Sequence, residues 1–369
     1  METGPATELL SLPWSGPDLS CPILRLPNEM TGHIFEQYLP EYPLAPTPAG
    51  DGSPTLLGHV CRHWRAIALS MPTLWRAIPI RDGDSKSSWI PIWLKRAGKM
   101  NISFQAQEVD FDYCTIHKSV MEQLIQERGR VEHLYFLFET RSQLEALMRN
   151  PFPALLSLEL RSFVPIRGHE NLSHLHAPLL RSTILWDEPH FASASFLVAV
   201  PWHQLTVLAL VCRPLKDCTP ILQKTPNLVY CELSLISGLW EDSEHANDSD
   251  IHLPHLQHLI LTVFRSDHFP LCNFLGSFVT PSLRQLKVAQ DFLEPDAVST
   301  INSFIDKSGC KLDELCILGS TSTSSEQEKN PWSQSIQSVT LDSRNHSSGW
   351  TDDAIADGPR RLVISRGWF

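Results

Sequence analysis

The chain has 369 residues, 42% hydrophobic and 19% charged, which is enough apolar content for a real core in one large domain or two ordinary ones. A formal net charge of −11 argues against a nucleic-acid-binding face, and no apolar run approaches the ~20 residues that a membrane span requires. The nine cysteines are odd in number and include no C-x-x-C pair, and the N-terminus lacks a secretion-signal pattern. Together these imply free, mostly buried thiols in an intracellular protein, cytoplasmic and/or nuclear.

Residues 1–21, rich in Pro, Gly and Ser, read as a flexible leader. In ILRLPNEMTGHIFEQYLP (23–40), Pro27 suits a first turn, Glu29 favours a helix N-terminus, and Met30, Ile34 and Tyr38 recur every four residues. Phe35 and Leu39 widen that stripe, while Gly32 costs up to ~1 kcal/mol relative to Ala. The four prolines and two glycines of YPLAPTPAGDGSP (42–54) demand a loop. A helix is expected from Leu56 to Ser70, with Leu57, Val60, Trp64, Ile67 and Ala68 on one face. Arg62 and Arg65 turn away as a solvated face. Met71-Pro72 then turns the chain and presents Leu74 and Trp75. Two short helices are too small to bury both Trp64 and Trp75 by themselves.

From residue 85 a phrase close to P-x-L-x-x-L-x-L recurs: PALLSLEL (153–160), PLLRSTIL (178–185), HQLTVLAL (203–210), PNLVYCEL (226–233), PHLQHLIL (254–261) and PSLRQLKV (281–288). Weaker copies are RVEHLYF (130–136) and KLDELCI (311–317). Their first apolar positions are Val131, Leu155, Leu180, Leu205, Leu228, Leu256, Leu283 and Leu312, spaced 23 to 29 residues apart. Even spacing of this kind signals a solenoid, each unit giving one short strand and a returning segment and relying on its neighbours to bury its apolar side. Helical returns are expected at 117–129 and at 88–98, the latter ending at Gly98 before a first strand in NISFQAQ. The acidic SGLWEDSEHANDSD (237–250) reads as a rim loop and GSTSTSSEQEKNPWSQS (319–335) as disordered. IQSVTLDS and RRLVISRGWF are compatible with a final strand or with an irregular tail.

ILRLPNEMTGHIFEQYLP, the Pro-rich loop and LLGHVCRHWRAIALSMPTLWRAI together resemble the F-box-like domain common in basidiomycete fungi. L-P-x-E followed by I-F, then V-C-R-x-W-R-x-I-A and P-x-L-W, occur here in that family's order. The resemblance is close over residues 23–80, and W-L-K-R-A-G-K-M-N-I-S with the leucine-rich units is similar to the region downstream of the F-box in many of those proteins. It implies an α+β chain: an all-helical F-box at 22–80, an irregular α/β leucine-rich-repeat solenoid at 85–318, and a largely disordered or irregular tail at 319–369. The implied role is substrate reception for an SCF-type cullin–RING ubiquitin ligase. The contacts implied for the Skp-type adaptor fall on Leu26, Pro27, Ile34, Leu56, Leu57, Val60, Trp64, Ile67, Leu74 and Trp75.

Between the inward leucines of each unit, alternate residues project onto an open concave sheet. By that rule His133, Tyr135, Glu159, Tyr230, Glu232, His258, Gln285 and Lys287 form the target-binding face, with Ser157, Ser182, Ile184, Val207, Ala209, Ile260, Glu314 and Cys316 among them. Aromatics with scattered charges suit protein recognition better than phosphate or lipid. His252, His255 and His258 step by three, but Pro254 places them at a loop entering a strand, where they diverge from any one metal ion. No G-x-S-x-G, Walker loop, G-x-G-x-x-G or H-E-x-x-H is present. The expectation is therefore a non-catalytic protein without cofactor or metal, with no nucleic-acid or membrane partner.

Overall fold

The computed structural model describes residues 22–80, 89–106, 117–138, 140–162, 174–187, 200–213, 215–236, 250–265, 272–319 and 336–342. The expected leader (1–21), the acidic insertion up to residue 249, the segment 320–335 and RRLVISRGWF lie outside them. Helices α1 (Asn28–Tyr38), α2 (Pro54–Val60) and α3 (Arg62–Ser70) come first. Strands β1 (Ala77–Ile80) and β2 (Ile102–Ala106) flank helix α4 (Ile90–Ala97), and α5 (Lys118–Gln126) leads to β3 (Val131–Phe138). Next are α6 (Arg141–Met148), β4 (Ser157–Ser162), β5 (Ser182–Asp187), β6 (Val207–Arg213), α7 (Leu215–Leu222) and β7 (Tyr230–Ile236). The rest are β8 (Ile251–His252), β9 (His258–Arg265), α8 (Cys272–Gly276), β10 (Phe278–Val279), β11 (Gln285–Ala289), α9 (Ala297–Ser308), β12 (Glu314–Leu318) and β13 (Ser338–Asp342).

Eleven strands form one sheet in the order β1-β2-β3-β4-β5-β6-β7-β9-β11-β12-β13, every neighbour parallel, while β8 and β10 make a small ladder of their own. The molecule is thus mixed α/β with a parallel sheet whose order nearly follows the chain. The sheet starts within the span read as all-helical, at β1, and runs into the span read as tail, because IQSVTLDS forms β13 beside β12.

The recurring phrase has a plain physical content. In PALLSLEL, Leu155 N–H donates to Phe152 C=O, and the same bond closes at Leu180, Leu228, Leu256 and Leu283 onto the residue three before. Each is a β-turn with Pro at its second position (Pro153, Pro178, Pro226, Pro254, Pro281), where the ring pre-sets φ. The turn delivers the first leucine into the core, and all eight such positions, from Val131 to Leu312, are buried. The following alternate residues of each strand lie on the same side, giving the stack Leu134, Leu158, Thr183, Leu208, Cys231, Leu259, Leu286 and Leu315, apolar except at Thr183. Between units the turn backbones also interlock, Arg181 N–H on Leu156 C=O, Thr206 on Arg181 and Val229 on Thr206. This ladder meets part of the backbone hydrogen-bonding demand at the strand entrance, and side chains add to it where Gln204 donates to Ala177 and Leu180 C=O and Ser282 to Pro254 C=O.

The expected helix from Leu56 to Ser70 is two helices. Cys61 breaks it in an extended conformation (φ −156°, ψ 171°), and its sulfur accepts the Trp64 N–H at 3.4 Å to start α3. On one straight helix Leu57 and Ile67, ten residues apart, would point about 80° away from each other. The break lets both enter the same core. Gly32, costly as a helix residue, is explained by packing: a Cβ there would stand 2.9 Å from the Met71 methyl carbon.

Candidate interaction surfaces

Trp64 and Trp75 join helices to one another. Trp75 is buried, its indole N–H donates to Ala68 C=O at 2.8 Å, its ring meets Trp93 edge-on at 5.3 Å, and Arg96 lies over it. Trp64, half-buried, packs edge-on against Phe35 at 4.9 Å. Of the residues assigned to adaptor contact, Leu57, Ile67, Leu74 and Trp75 are therefore core rather than surface. Leu26 and Trp64 are half-buried, whereas Pro27, Ile34, Leu56 and Val60 are exposed. Six of the nine large hydrophobic side chains exposed among the described residues lie in this helical segment: Met30, Ile34, Tyr38, Leu56, Val60 and Leu69. Met30, Ile34 and Tyr38 are the every-fourth stripe, and it faces outward. The inward face of α1 is instead Thr31, Gly32 and Phe35.

The loop after α1 straps the helices to the sheet. Tyr42 O–H donates to the Glu132 carboxylate at 3.0 Å, its ring meets His133 edge-on, and the Arg76 guanidinium lies 3.6 Å above it. Ser103 O–H donates to Pro43 C=O at 2.9 Å, and Ala45 N–H to the Gln105 side chain at 2.6 Å. Burial and the neighbouring Glu132 push the Tyr42 phenol far above its usual range. Burial, helped by Arg76, holds His133 neutral down to a pKa of about 3. Nothing in the sequence of 42–54 pointed to this strap, because its partners lie up to 91 residues away.

All sixteen residues assigned to the sheet face do share one face, in two rows. One row runs His133, Ser157, Ser182, Val207, Tyr230, His258, Gln285, Glu314, and the other Tyr135, Glu159, Ile184, Ala209, Glu232, Ile260, Lys287, Cys316. The face is not open along its length, however. His133, Tyr135, Glu159, Tyr230 and Glu232 are buried; His258, Gln285 and Lys287 are half-buried, and only towards Glu314 does it become exposed. Over β3 part of the cover is the Tyr42 strap.

Five of the eight target-face residues cluster across β7, β9 and β11. Tyr230 O–H donates to the Glu232 carboxylate at 2.6 Å, and His258 Nδ1 lies 2.8 Å from the Gln285 side-chain oxygen. The Tyr230 and His258 rings are 6.3 Å apart. Burial pushes the Glu232 carboxyl up to about 7, against the opposing pull of the Tyr230 hydrogen bond and Lys287. Half of this carboxyl's charge is thus withheld near neutral pH. Glu159, Tyr135 and His133 sit at the other end, separated from the cluster by Ile184, Ala209, Ser182 and Val207.

The histidine triplet is dispersed: His252 ends β8, His255 stands exposed in the turn, and His258 joins the face. Among the described residues no three His, Cys, Asp or Glu side chains converge on a metal-sized site. Among the described cysteines, Cys212, Cys218, Cys231 and Cys310 are buried, and Cys61 and Cys316 are half-buried. No helix among the described residues is long and apolar enough to cross a membrane. No protein-family model matches the chain, and no curated protein matches it.

Proposed function

We propose that the chain is the substrate-recognition subunit of an SCF-type cullin–RING ubiquitin ligase. In this reading residues 22–80 form an F-box-like domain that docks on a Skp-type adaptor, and the parallel sheet is an irregular leucine-rich-repeat solenoid that binds a target protein. The observation that carries it is the concentration of exposed apolar side chains on α1 and α2, including Val60 at 57% and Met30 at 53%. Apolar residues repeating along a short helical surface are suited to burial against a partner's groove. The order of the signature phrases supports the same reading. The chain does no bond chemistry: by holding a target beside the charged ubiquitin carrier it raises effective concentration.

An interaction scaffold that delivers nothing for ubiquitination is the second reading. It draws on the burial of Leu57, Ile67, Leu74 and Trp75, which gives half of the second motif a purely internal role. The deciding experiment is co-purification of the full chain with Skp adaptor and cullin, beside a Leu56→Asp/Val60→Asp variant checked for folding. Recovery of both partners by the wild type and loss in the variant supports the receptor. Adaptor without cullin supports the scaffold, and capture of neither overturns the receptor.

A further inference from the structure

The two edges of the large sheet are treated differently. At one edge, β1 is fully buried and carries Pro79. Arg76 C=O accepts from Ser103 N–H, so alternation turns the Pro79 backbone outward, where a proline offers no donor for another strand. At the other edge, β13 reads Ser-Val-Thr-Leu-Asp, without proline, lysine or bulge, and no strand among the described residues covers its outer side. An edge of this kind is a template for pairing.

We infer that β13 is a self-association edge, along which two copies of this chain pair antiparallel about a two-fold axis through Thr340. Three features fit a second copy rather than an unrelated strand. Ser338 N–H donates inward to Asp313 C=O, so Ser338, Thr340 and Asp342 face β12 and the free backbone groups belong to Val339 and Leu341. In the two-fold register each Val339 stands opposite the partner copy's Leu341, and these two exchange both backbone hydrogen bonds. Thr340 then meets its own counterpart at a non-hydrogen-bonded position, a Thr–Thr contact that sheets favour. Leu341 is exposed and Val339 only partly covered, on the side of the apolar core, so the pairing continues the core layer across the axis. Five residues span roughly 17 Å of edge. A contact along one edge of that length buries less than the ~1,200 Å² of a standard interface, so the association is weak and depends on concentration.

The test is sedimentation velocity on the full chain from about 5 µM to about 500 µM, a range that brackets a weak dimer. The wild type is expected to shift from monomer towards dimer. Leu341→Pro, which removes an outward N–H while leaving the bonds to β12, is expected to stay monomeric with unchanged far-UV circular dichroism. Thr340→Cys reads the register: under mild oxidation it is expected to give disulfide-linked dimers well beyond those of the wild type, whose own cysteines set the background. A monomeric wild type across the range, or Leu341→Pro associating as the wild type does, overturns the inference. So does Thr340→Cys cross-linking no more than background.

Discussion

Replacing Glu232 by Gln isolates the electrostatics of the sheet-face cluster. Folding raises this carboxyl from an ordinary 4.5 to about 7, chiefly through burial. A carboxyl raised in the folded state favours the protonated form. Its contribution to stability is therefore fully present below pH 4.5 and is lost as pH climbs through about 7. The gap corresponds to about 3 kcal/mol, at ~1.4 kcal/mol per pH unit. Glutamine keeps the side-chain carbonyl that accepts from Tyr230 and never ionises, so it resembles the protonated carboxyl at every pH. Urea denaturation of wild type and Glu232→Gln at intervals from pH 4.5 to pH 8.5 should show the two stabilities diverging in favour of the variant. The divergence should reach about 3 kcal/mol at the alkaline end and level off there. Parallel stability curves across that range would refute the reasoning, because they would mean that the carboxyl ionises as freely folded as unfolded.

His133 should act with the opposite sign: burial depresses it from 6.5 to about 3, so its contribution is present above pH 6.5 and lost on acidification. His133→Asn should flatten the acid side of the wild-type stability curve, read by the same denaturation series. Gly32→Ala should gain little alone, since the new methyl meets Met71, but should stabilise by up to ~1 kcal/mol in a Met71→Ala background. A double-mutant cycle measures that coupling. Trp75→Ala should cost about 3–5 kcal/mol by removing the indole that joins α3 and α4, seen as a lowered denaturation midpoint.

The repeat was legible because it is local. A β-turn with proline, followed by three inward apolar residues, is written in eight consecutive positions, and parallel stacking is the way such units bury their apolar sides. Face assignment came from alternation, which is why all sixteen predicted positions fall in two rows. Accessibility did not, because cover comes from elsewhere: Tyr42 reaches His133 across 91 positions of sequence. On α1 two apolar stripes lie side by side, and periodicity alone could not say that Phe35 points inward while Met30, Ile34 and Tyr38 point out. The break at Cys61 was hidden for a related reason, since a cysteine carries no strong helix-stop signal and only the shared core of Leu57 and Ile67 requires it. Residues 338–342 were ambiguous because a lone five-residue apolar alternation becomes a strand only when β12 stands beside it.

Isothermal titration of the full chain with purified Skp adaptor tests the receptor reading most directly, using Ile34→Asp on α1 and Lys287→Ala on the sheet face as paired variants. Saturable one-to-one binding, weakened at least about tenfold (about 1.4 kcal/mol) by Ile34→Asp and unchanged by Lys287→Ala, is the predicted result. Absence of binding by the folded wild type, or equal losses in both variants, would contradict docking through the exposed helical stripe.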